Sequence, residues 1–429
     1  MTQSPKNFIL LVEMLERELP ASVLLGSELV SRGHNVWLIE KGRFRKSPAS
    51  FAPSIVLEKG LTTGCLPKFR SIRGAGHVLT VMCQEGFTYR SGEDYIARRV
   101  FNETLENVDY LFLWGERQKQ DLEGFLEKVR GYHVTGNPRF DLLHPRFEKS
   151  WEARKQEILS EHGDFVLFTS RFGSANHFRR TLDETVDRRM ELYTGDASET
   201  APERFRYLRR LFEDYMDVVG KMAARFPKQN FVVRPHPLED PDTWRTRFQD
   251  VANVSVRDGG SAIPWLSAAR CVVHSACTTG IEAYILGRPV TEYYPAAIPR
   301  GELDPLLPGK ITGACNDADD LARWIEANTA RDAPVERKAS SDDLIAFHLQ
   351  NAHAPNAYSE MAAAMDGFRG PRPWAGVLNK MSGKHARKKM QKRYIELDEV
   401  NRYLQSFVTC NVRDEFVPAV IDEVGIKLQ

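Results

Sequence analysis

Short apolar runs alternate with amphipathic stretches along the first third of the chain. Residues 8–12 (Phe-Ile-Leu-Leu-Val) form an unbroken apolar run that predicts a buried strand, and residues 21–30 have helical spacing that ends at Gly33. Further strands are predicted at 34–39, 54–57, 77–83, 110–113 and 132–135, and helices near 95–107 and 117–129. This alternation of strands and helices predicts a parallel, doubly wound sheet.

The same alternation starts again after Asn137-Pro138 and a charged segment at 147–162. Strands are predicted at 165–169, 230–233, 254–256, 271–274 and 289–293, and helices at 203–226, 262–269, 279–286 and 317–329. The polar stretch 170–202 is interpreted as a loop insertion. We therefore expect two Rossmann-like domains, 1–150 and 151–345, followed by a helical extension at 346–429.

Two doubly wound units in tandem define the GT-B plan. Ligands of open α/β sheets bind outside the carboxyl ends of the strands, and in this plan those ends face each other across a cleft. Polar residues just past each predicted strand are therefore the candidates for a site.

Composition narrows the class of protein. The 429 residues are 42% apolar and 27% charged, and the net charge of +1 lacks the basic excess of nucleic-acid binders. The six cysteines have no metal-ligand spacing, so we expect reduced thiols. No apolar run approaches the ~18 residues that a membrane-spanning helix needs, which predicts a cytoplasmic protein.

The strongest chemical motif follows the strand predicted at 271–274. Residues 275–283 read Ser-Ala-Cys-Thr-Thr-Gly-Ile-Glu-Ala and are predicted to open a helix. The first N–H groups of a helix have no internal partners and attract anions. Ser275, Thr278, Thr279 and Gly280 could therefore hold a nucleotide phosphate and Glu282 a ribose. An ordinary helix cap would explain the same residues.

A second motif, Arg234-Pro235-His236-Pro237, follows the strand predicted at 230–233. Each proline fixes its own φ and restricts the residue before it, so the histidine is held rigidly. Arg234 and His236 could bind a phosphate, and His236 could donate a proton to a leaving group. A histidine in a tight structural turn is the alternative.

Three carboxylates follow predicted strands of the first domain: Glu13, Glu85 and Glu116. One of them could activate an acceptor hydroxyl, or attack the anomeric carbon if the enzyme is retaining. Glu85 is favoured because Gly86 would leave room for a ligand, whereas Glu116 is easily explained as a helix cap. In the turn at 135–141, Asp141 could be a structural cap.

Missing motifs also limit the chemistry. No Gly-x-Gly-x-x-Gly follows the first strand, and the chain has no Gly-x-x-x-x-Gly-Lys-Ser/Thr sequence. A dinucleotide redox cofactor is therefore not expected. No acidic pair is placed to hold a metal-bound diphosphate, so metal-independent activity is expected.

Together the motifs resemble the bacterial surface carbohydrate biosynthesis proteins. Residues 134–141, Val-Thr-Gly-Asn-Pro-Arg-Phe-Asp, carry this resemblance most specifically. It also rests on Glu13, Arg17-Glu18-Leu19, Arg32-Gly33-His34, Gln84-Glu85-Gly86, Trp114-Gly115-Glu116 and the two second-domain motifs. The second-domain pair is also similar to capsule Kdo transferases, some bacterial sialyltransferases and polymerases that use CDP-glycerol.

These resemblances imply a glycosyltransferase with a nucleotide-sugar donor, CMP-linked rather than UDP-linked, and a glycan or lipid-linked acceptor. They imply that the matching residues of the second domain hold a cytidine nucleotide. The run at 135–137 is also similar to non-hydrolysing UDP-sugar 2-epimerases, so an isomerase is one alternative. A non-catalytic scaffold with the same fold is another.

Basic residues are concentrated near the C-terminus. Seven lysines and arginines fall within 380–393, with no acidic residue among them, and their spacing would place them along one helix. A solvated helix face is the simpler interpretation. The alternative is peripheral contact with anionic lipid at the inner face of the membrane, which would suit a lipid-linked acceptor.

Overall fold

The computed structural model describes residues 4–178, 201–300, 304–329, 337–370, 395–410, 419–421 and 426–429. The chain divides into two compact units. The first contains Met1–Phe87, Arg99–Ser150 and Ala346–Gln429, and the second contains Thr88–Arg98 and Trp151–Ile345. The segment after residue 345 thus belongs to the first unit.

Fourteen strands lie in the described ranges. They are β1 (Asn7–Val12), β2 (Asn35–Glu40), β3 (Ile55–Glu58), β4 (Val78–Met82), β5 (Tyr110–Leu113), β6 (Gly131–Val134), β7 (Phe165–Thr169), β8 (Asn230–Arg234), β9 (Val254–Val256), β10 (Cys271–His274), β11 (Val290–Tyr293), β12 (Ala314–Cys315), β13 (Val420–Ile421) and β14 (Ile426–Leu428). The α-helices of the described residues are Leu15–Ser31, Lys41–Lys46, Leu66–Gly74, Gly92–Arg99, Asn102–Leu105, Glu116–Asp121, Pro138–Asp141, Glu152–His162, Ala201–Arg225, Pro241–Phe248, Ile263–Ala268, Thr278–Ile285, Leu307–Thr312, Ala318–Thr329, Ala339–His348, Ala357–Gly367 and Leu397–Thr409. Four short 3-10 helices are Pro48–Ser50, Thr63–Cys65, Glu123–Lys128 and Pro145–Ser150.

The sheet of the first unit has the order β13-β14-β2-β1-β3-β4-β5-β6. Strands β1 to β6 are parallel, as the alternation of strands and helices predicts. The chain steps from β1 to β2 and then crosses back to β3 on the other side. The switch point, where ligands of such sheets bind, therefore lies at the carboxyl ends of β1 and β3.

The sheet of the second unit has the order β12-β11-β10-β7-β8-β9, and every pairing is parallel. This is the strand order of a dinucleotide-binding Rossmann sheet, and its switch point lies between β7 and β10. The helix Ala201–Arg225 covers this sheet with apolar residues at helical spacing, among them Leu208, Phe212 and Tyr215. The predicted pair of doubly wound units is therefore confirmed.

The end of the chain adds strands that the pattern does not predict. β14 pairs antiparallel with β2, extending an otherwise parallel sheet by an edge strand. Gly26, inside the helix Leu15–Ser31, makes room for it, because an ideal Cβ there would lie 2.4 Å from the Leu428 side chain. Within the described ranges, no helix has the length and apolar character required to span a bilayer.

Candidate functional site

Hydroxyl groups meet at the switch point of the second sheet. Thr169, the last residue of β7, pairs in register with His274, the last residue of β10. The Thr169 hydroxyl lies 2.9 Å from that of Thr279, which is also 2.6 Å from the Cys277 sulfur. Two strand ends and the start of the helix Thr278–Ile285 thus come together within hydrogen-bond distance.

The turn at residues 275–280, which we call the 275–280 turn, leaves the start of that helix uncapped by a side chain. Cys277 is the N-cap residue, and its side chain makes no capping hydrogen bond. Ala276 has a φ of 44°, the left-handed region that residues other than glycine and asparagine rarely adopt. The first-turn N–H groups beside Thr278 and Thr279 therefore form the kind of site that binds an anion.

Gly280 has a packing role in this turn. An ideal Cβ on Gly280 would lie 2.3 Å from the His274 ring, so the helix approaches β10 this closely only with glycine at that position. Burial lowers the pKa of His274 to about 3, so the ring is neutral, and its Nε2 lies 2.9 Å from the Thr312 hydroxyl. Glu282, the predicted ribose ligand, lies buried on the same helix.

The His236 turn is held by a buried carboxylate that the sequence motifs do not indicate. One oxygen of Glu239 accepts hydrogen bonds from the backbone N–H of His236 (3.1 Å) and Phe172 (2.7 Å) and from the Ser170 hydroxyl (2.6 Å). The Nδ1 of His236 accepts a hydrogen bond from the N–H of Leu238 at 3.1 Å. Glu239 thus joins the loops that follow β7 and β8, and the Leu238 N–H orients the half-buried His236 ring.

Glu239 could not be recognised from sequence because it follows the His-Pro turn as an ordinary acidic residue. Its pKa is raised by burial, although four hydrogen-bond donors oppose that shift. Gly173 completes the arrangement: an ideal Cβ there would lie 2.8 Å from the Leu238 Cβ. The glycine is therefore explained by close contact between the two loops.

Arg234 lies at the end of β8 and contacts a different loop. Its guanidinium donates to the carbonyls of Gly259 (2.9 Å) and Gly260 (3.0 Å), which follow β9. It also lies over the Trp265 ring, 5.0 Å from the centroid. β9 lies on the opposite side of β8 from the switch point, so the predicted phosphate contact of Arg234 has no support from these partners.

Charged residues cluster at the switch point of the first sheet. A pocket of about 460 Å³, which includes its open mouth, is lined by Arg17, Glu18, Lys59, Gln84, Asn137 and Arg139, among others. Glu18 and Lys59 form a buried ion pair. Burial alone would raise the pKa of Glu18, but Lys59 and Arg17 lower it below its ordinary value. This ion pair, which sequence reasoning missed, forms part of the pocket wall.

The two favoured carboxylates of the first domain lie near this pocket. Glu13, directly after β1, forms an ion pair with Lys41 at 2.6 Å, and its backbone N–H donates to Glu18 at 2.8 Å. Glu85 lies past the end of β4 with half of its side chain exposed, and Arg17 is 3.9 Å away. The structure thus brings both carboxylates to the carboxyl ends of the first sheet.

One expectation for Glu85 is wrong. The space beside Gly86 is filled: an ideal Cβ there would lie 2.2 Å from the amide nitrogen of Gln118 and 2.9 Å from the Trp114 ring. Gly86 therefore permits close packing within the protein and leaves no room there for a ligand. Glu116 begins the helix Glu116–Asp121 and pairs with Lys119 at 3.1 Å, as a residue of a helical first turn does.

Residues 134–141, the most specific part of the family resemblance, bind another segment of the same unit. The N–H of Asn137 donates to the Asn351 side chain at 3.0 Å, and Asn351 donates to the Asn137 carbonyl at 3.1 Å. Asp141 accepts from Asn351 (2.6 Å) and from the N–H of Tyr358 (2.8 Å) at the start of the helix Ala357–Gly367. Asp141 is therefore a structural cap for a helix more than 200 residues away.

Gly136 and Gly115 serve the same contact. Gly136 has a φ of 79°, and an ideal Cβ there would lie 1.9 Å from the Asn351 oxygen. At Gly115 it would lie 2.5 Å from the backbone of His348.

The basic segment 380–393, and residues 179–200 of the predicted insertion, lie outside the described residues.

No protein-family model matches the sequence, and no curated protein matches it either. Among solved structures, the wall teichoic acid polymerase TagF, in a histidine-to-asparagine variant with CDPG, is similar at a TM-score of 0.53 and 11% identity. That similarity covers 85% of this chain and 88% of TagF. The UDP-GlcNAc 2-epimerase from Neisseria meningitidis bound to UDP-GlcNAc is similar at a TM-score of 0.51 and 14% identity, covering 84% of this chain and 98% of the epimerase.

At these identities the similarity concerns the fold. Both neighbours have the GT-B fold, and each match extends over more than four fifths of both chains. The two doubly wound units described above are the units of that fold. The chain therefore has the GT-B fold.

Proposed function

We propose that this chain is a glycosyltransferase that passes a sugar from a nucleotide donor to a bacterial surface glycan or glycoconjugate. The observation that carries the proposal is the 275–280 turn, where an uncapped helix start meets the hydroxyls of Thr169 and Thr279 at the switch point of the second sheet. That position and that chemistry suit the phosphate of a bound nucleotide.

The donor contacts are assigned to the second unit. The N–H groups and hydroxyls of Ser275, Thr278 and Thr279 hold the phosphate, and Glu282 holds the ribose. With Nδ1 of His236 engaged by Leu238, its Nε2 carries the proton of the neutral ring and donates it toward the phosphate. We assign a CMP-linked donor, such as Kdo or another acidic sugar, from the family resemblance.

The acceptor is assigned to the first unit, with Glu85 as the general base. Its carboxylate takes the proton of the acceptor hydroxyl while that oxygen forms a bond to the anomeric carbon. The bond from the anomeric carbon to the phosphate oxygen breaks, and the nucleotide leaves with the electron pair. Glu13 is the second candidate for the base. No metal takes part in this scheme.

A UDP-sugar 2-epimerase is the second candidate function. The fold shared with the Neisseria meningitidis enzyme bound to UDP-GlcNAc favours it. This function requires no acceptor, whereas the transferase does. A scaffold without activity would neither transfer, epimerise nor hydrolyse a nucleotide sugar.

A thermal-shift screen of CMP, CDP, UDP, GDP and dTDP tests the donor, because a ligand at 100 times its dissociation constant adds about 2.7 kcal/mol of stability. Turnover of the matching nucleotide sugar is then measured with and without acceptor glycans, and each assay is repeated with EDTA. The comparison identifies the reaction. We expect a cytidine nucleotide to stabilise the protein. We also expect release of the nucleotide from its sugar to require an acceptor and to continue in the presence of EDTA. Acceptor-free interconversion of UDP-sugars would support the epimerase instead.

A further inference from the structure

Arg171 lies just past the end of β7, next to the proposed donor site, and it contacts two partners at once. Its Nε donates to the carbonyl of Ser275 at 2.5 Å, and its NH2 group forms an ion pair with the carboxylate of Asp304. The planar fork of an arginine holds its donors in fixed directions, which suits simultaneous contact with a carbonyl and a carboxylate. Arg171 therefore connects the loop after β7 to the first residue of the 275–280 turn.

Asp304 is also held by Tyr207, which in turn contacts Tyr294. The Tyr207 hydroxyl donates to the Asp304 carboxylate at 2.9 Å, and the Tyr294 hydroxyl lies 2.5 Å from that of Tyr207. The Asp304 side chain has no exposed surface. Burial alone would lower the pKa of Arg171, but the Asp304 carboxylate together with Tyr207, Cys277 and Glu292 raises it above its ordinary value. The guanidinium is thus charged and held in place.

The turn itself requires such a constraint. Ala276 directly follows the clamped carbonyl, and it is the one non-glycine residue in the described ranges with a positive φ. An L-residue in the left-handed region is strained, and such residues persist only when their surroundings determine the conformation. The hydrogen bond from Arg171 fixes the peptide that precedes Ala276, and that peptide sets this φ.

We propose that Arg171 is a positioning residue that holds the 275–280 turn in the shape that receives the donor phosphate. It acts through the Ser275 carbonyl and does not itself contact the substrate. The inference rests on the proposed function for its ligand, but the clamp on the turn is a property of the protein without ligand. The two parts can therefore be tested separately.

The test combines Arg171→Lys with Ala276→Gly. Arg171→Lys keeps the charge but lacks the fixed fork that serves both partners, so we expect backbone amide exchange in residues 275–285 to accelerate and the affinity for CMP to fall at least tenfold. Glycine adopts the left-handed region freely. Adding Ala276→Gly to Arg171→Lys should therefore restore at least about fivefold of the affinity and slow the exchange, as relief of the conformational strain predicts.

Arg225→Lys is the matched control, because Arg225 pairs with Asp319 on the exposed surface of the same unit. It should change neither measurement. If Arg171→Lys does not fold, Tyr207→Phe weakens the same network from its far end and should give smaller effects of the same sign.

Three results would overturn the inference: unchanged exchange in 275–285, exchange accelerated throughout the second unit, or no rescue by Ala276→Gly. If the wild-type protein binds none of the tested nucleotides, the proposed function fails. The exchange measurement then still decides whether Arg171 holds the turn.

Discussion

Glu85 is the residue on which the proposed chemistry of the first unit depends. It lies past the end of β4, half exposed, with Arg17 3.9 Å from its carboxylate. An exposed carboxylate at a strand end can reach a substrate, whereas the buried Glu18 is occupied by its ion pair with Lys59. Glu85 therefore remains our first choice for the base, although Gly86 provides no space beside it.

Replacing Glu85 by Gln keeps the shape of the side chain and removes the base. General-base catalysis typically contributes 10²–10⁴-fold in rate. We expect Glu85→Gln to leave the melting temperature and nucleotide affinity unchanged and to reduce transfer by at least about 100-fold. Steady-state transfer assays and calorimetry measure these quantities.

Glu116→Gln is the control, since Glu116 is a partly buried residue paired with Lys119 in a helical first turn. It should leave transfer within a few-fold of wild type. If Glu85→Gln behaves like this control, Glu85 is not the base, and Glu13 becomes the residue to replace.

Asp141 should make the stability of the protein depend on pH. Burial raises its pKa from an ordinary value of 3.8 to about 7, although Asn351 and the N–H groups of Ala357 and Tyr358 oppose the shift. Because its pKa is raised in the folded state, the folded protein binds this proton more tightly than the unfolded chain does. Asp141 therefore makes its full contribution to the free energy of unfolding below the pKa it has in the unfolded chain. That contribution is lost as the pH rises through about 7. The change is on the order of 1 kcal/mol per pH unit in that window.

Asp141→Asn removes this titration. We expect the free energy of unfolding of wild type, measured relative to the variant by urea denaturation, to fall between pH 4 and pH 7 and to level off above. A difference that is constant, or that grows as the pH rises, would mean that the carboxylate stays ionised in the folded protein.

At the scale of elements, the segment around residues 348–358 is bound by motifs that lie far from it in sequence. Two glycines, Gly115 and Gly136, lie so close to it that a Cβ would collide with it. Hydrogen bonds to it come from Asn137, which bonds reciprocally with Asn351, and from Asp141. Stacking of Phe368 on Tyr110, with centroids 3.7 Å apart, continues the contact along the same unit. These contacts hold the segment around residues 348–368 against the first sheet.

Gly136→Ala tests this contact against a matched glycine. Gly33 has a similar φ of 86° but nothing within 4 Å of its ideal Cβ, so Gly33→Ala should cost only the strain of about 1–2 kcal/mol. At Gly136 the added methyl also collides with Asn351, which should cost about 1–3 kcal/mol more. Urea denaturation of both variants measures the difference. Equal losses of stability would show that Asn351 moves aside at no cost.

Much of the strand pattern could be predicted from sequence because these strands are covered on both faces. The unbroken apolar run at 8–12 and the structural β1 (Asn7–Val12) differ by a single residue. The functions of the motifs could not be predicted in the same way. Gly136 and Asp141 owe their identity to Asn351 and Tyr358, partners that are more than 200 residues distant and visible only in three dimensions.

The candidate site likewise contains local patterns that can be predicted from sequence and long-range contacts that cannot. A strand that ends in hydroxyl residues and opens a helix is a local pattern, and the 275–280 turn has that local structure. The residues that support the turn, Glu239 and Arg171, act across loops from different strands. No spacing in the sequence indicates those contacts. The Gly280 contact with His274 likewise depends on how closely the helix approaches β10.

At the scale of the whole molecule, the proposed transfer to a lipid-linked acceptor requires the protein to work at a membrane surface. The basic residues of 380–393 should then bind anionic vesicles, each contributing roughly 1 kcal/mol near the surface. Binding should weaken as salt is added, because the Debye length shortens. Replacing Lys388, Lys389, Lys392 and Arg393 by Gln should release the protein in vesicle sedimentation. Unchanged binding would indicate that this segment is only a solvated surface.

The central claim is that the second unit binds a nucleotide at the switch point of its sheet. A crystal structure of the protein with the best nucleotide from the thermal-shift screen tests it most directly. We predict that the phosphate lies within hydrogen-bond distance of the His236 ring and of the N–H groups and hydroxyls of the 275–280 turn, between the ends of β7 and β10. A nucleotide bound with its phosphate elsewhere, leaving that turn without a ligand, would contradict the account.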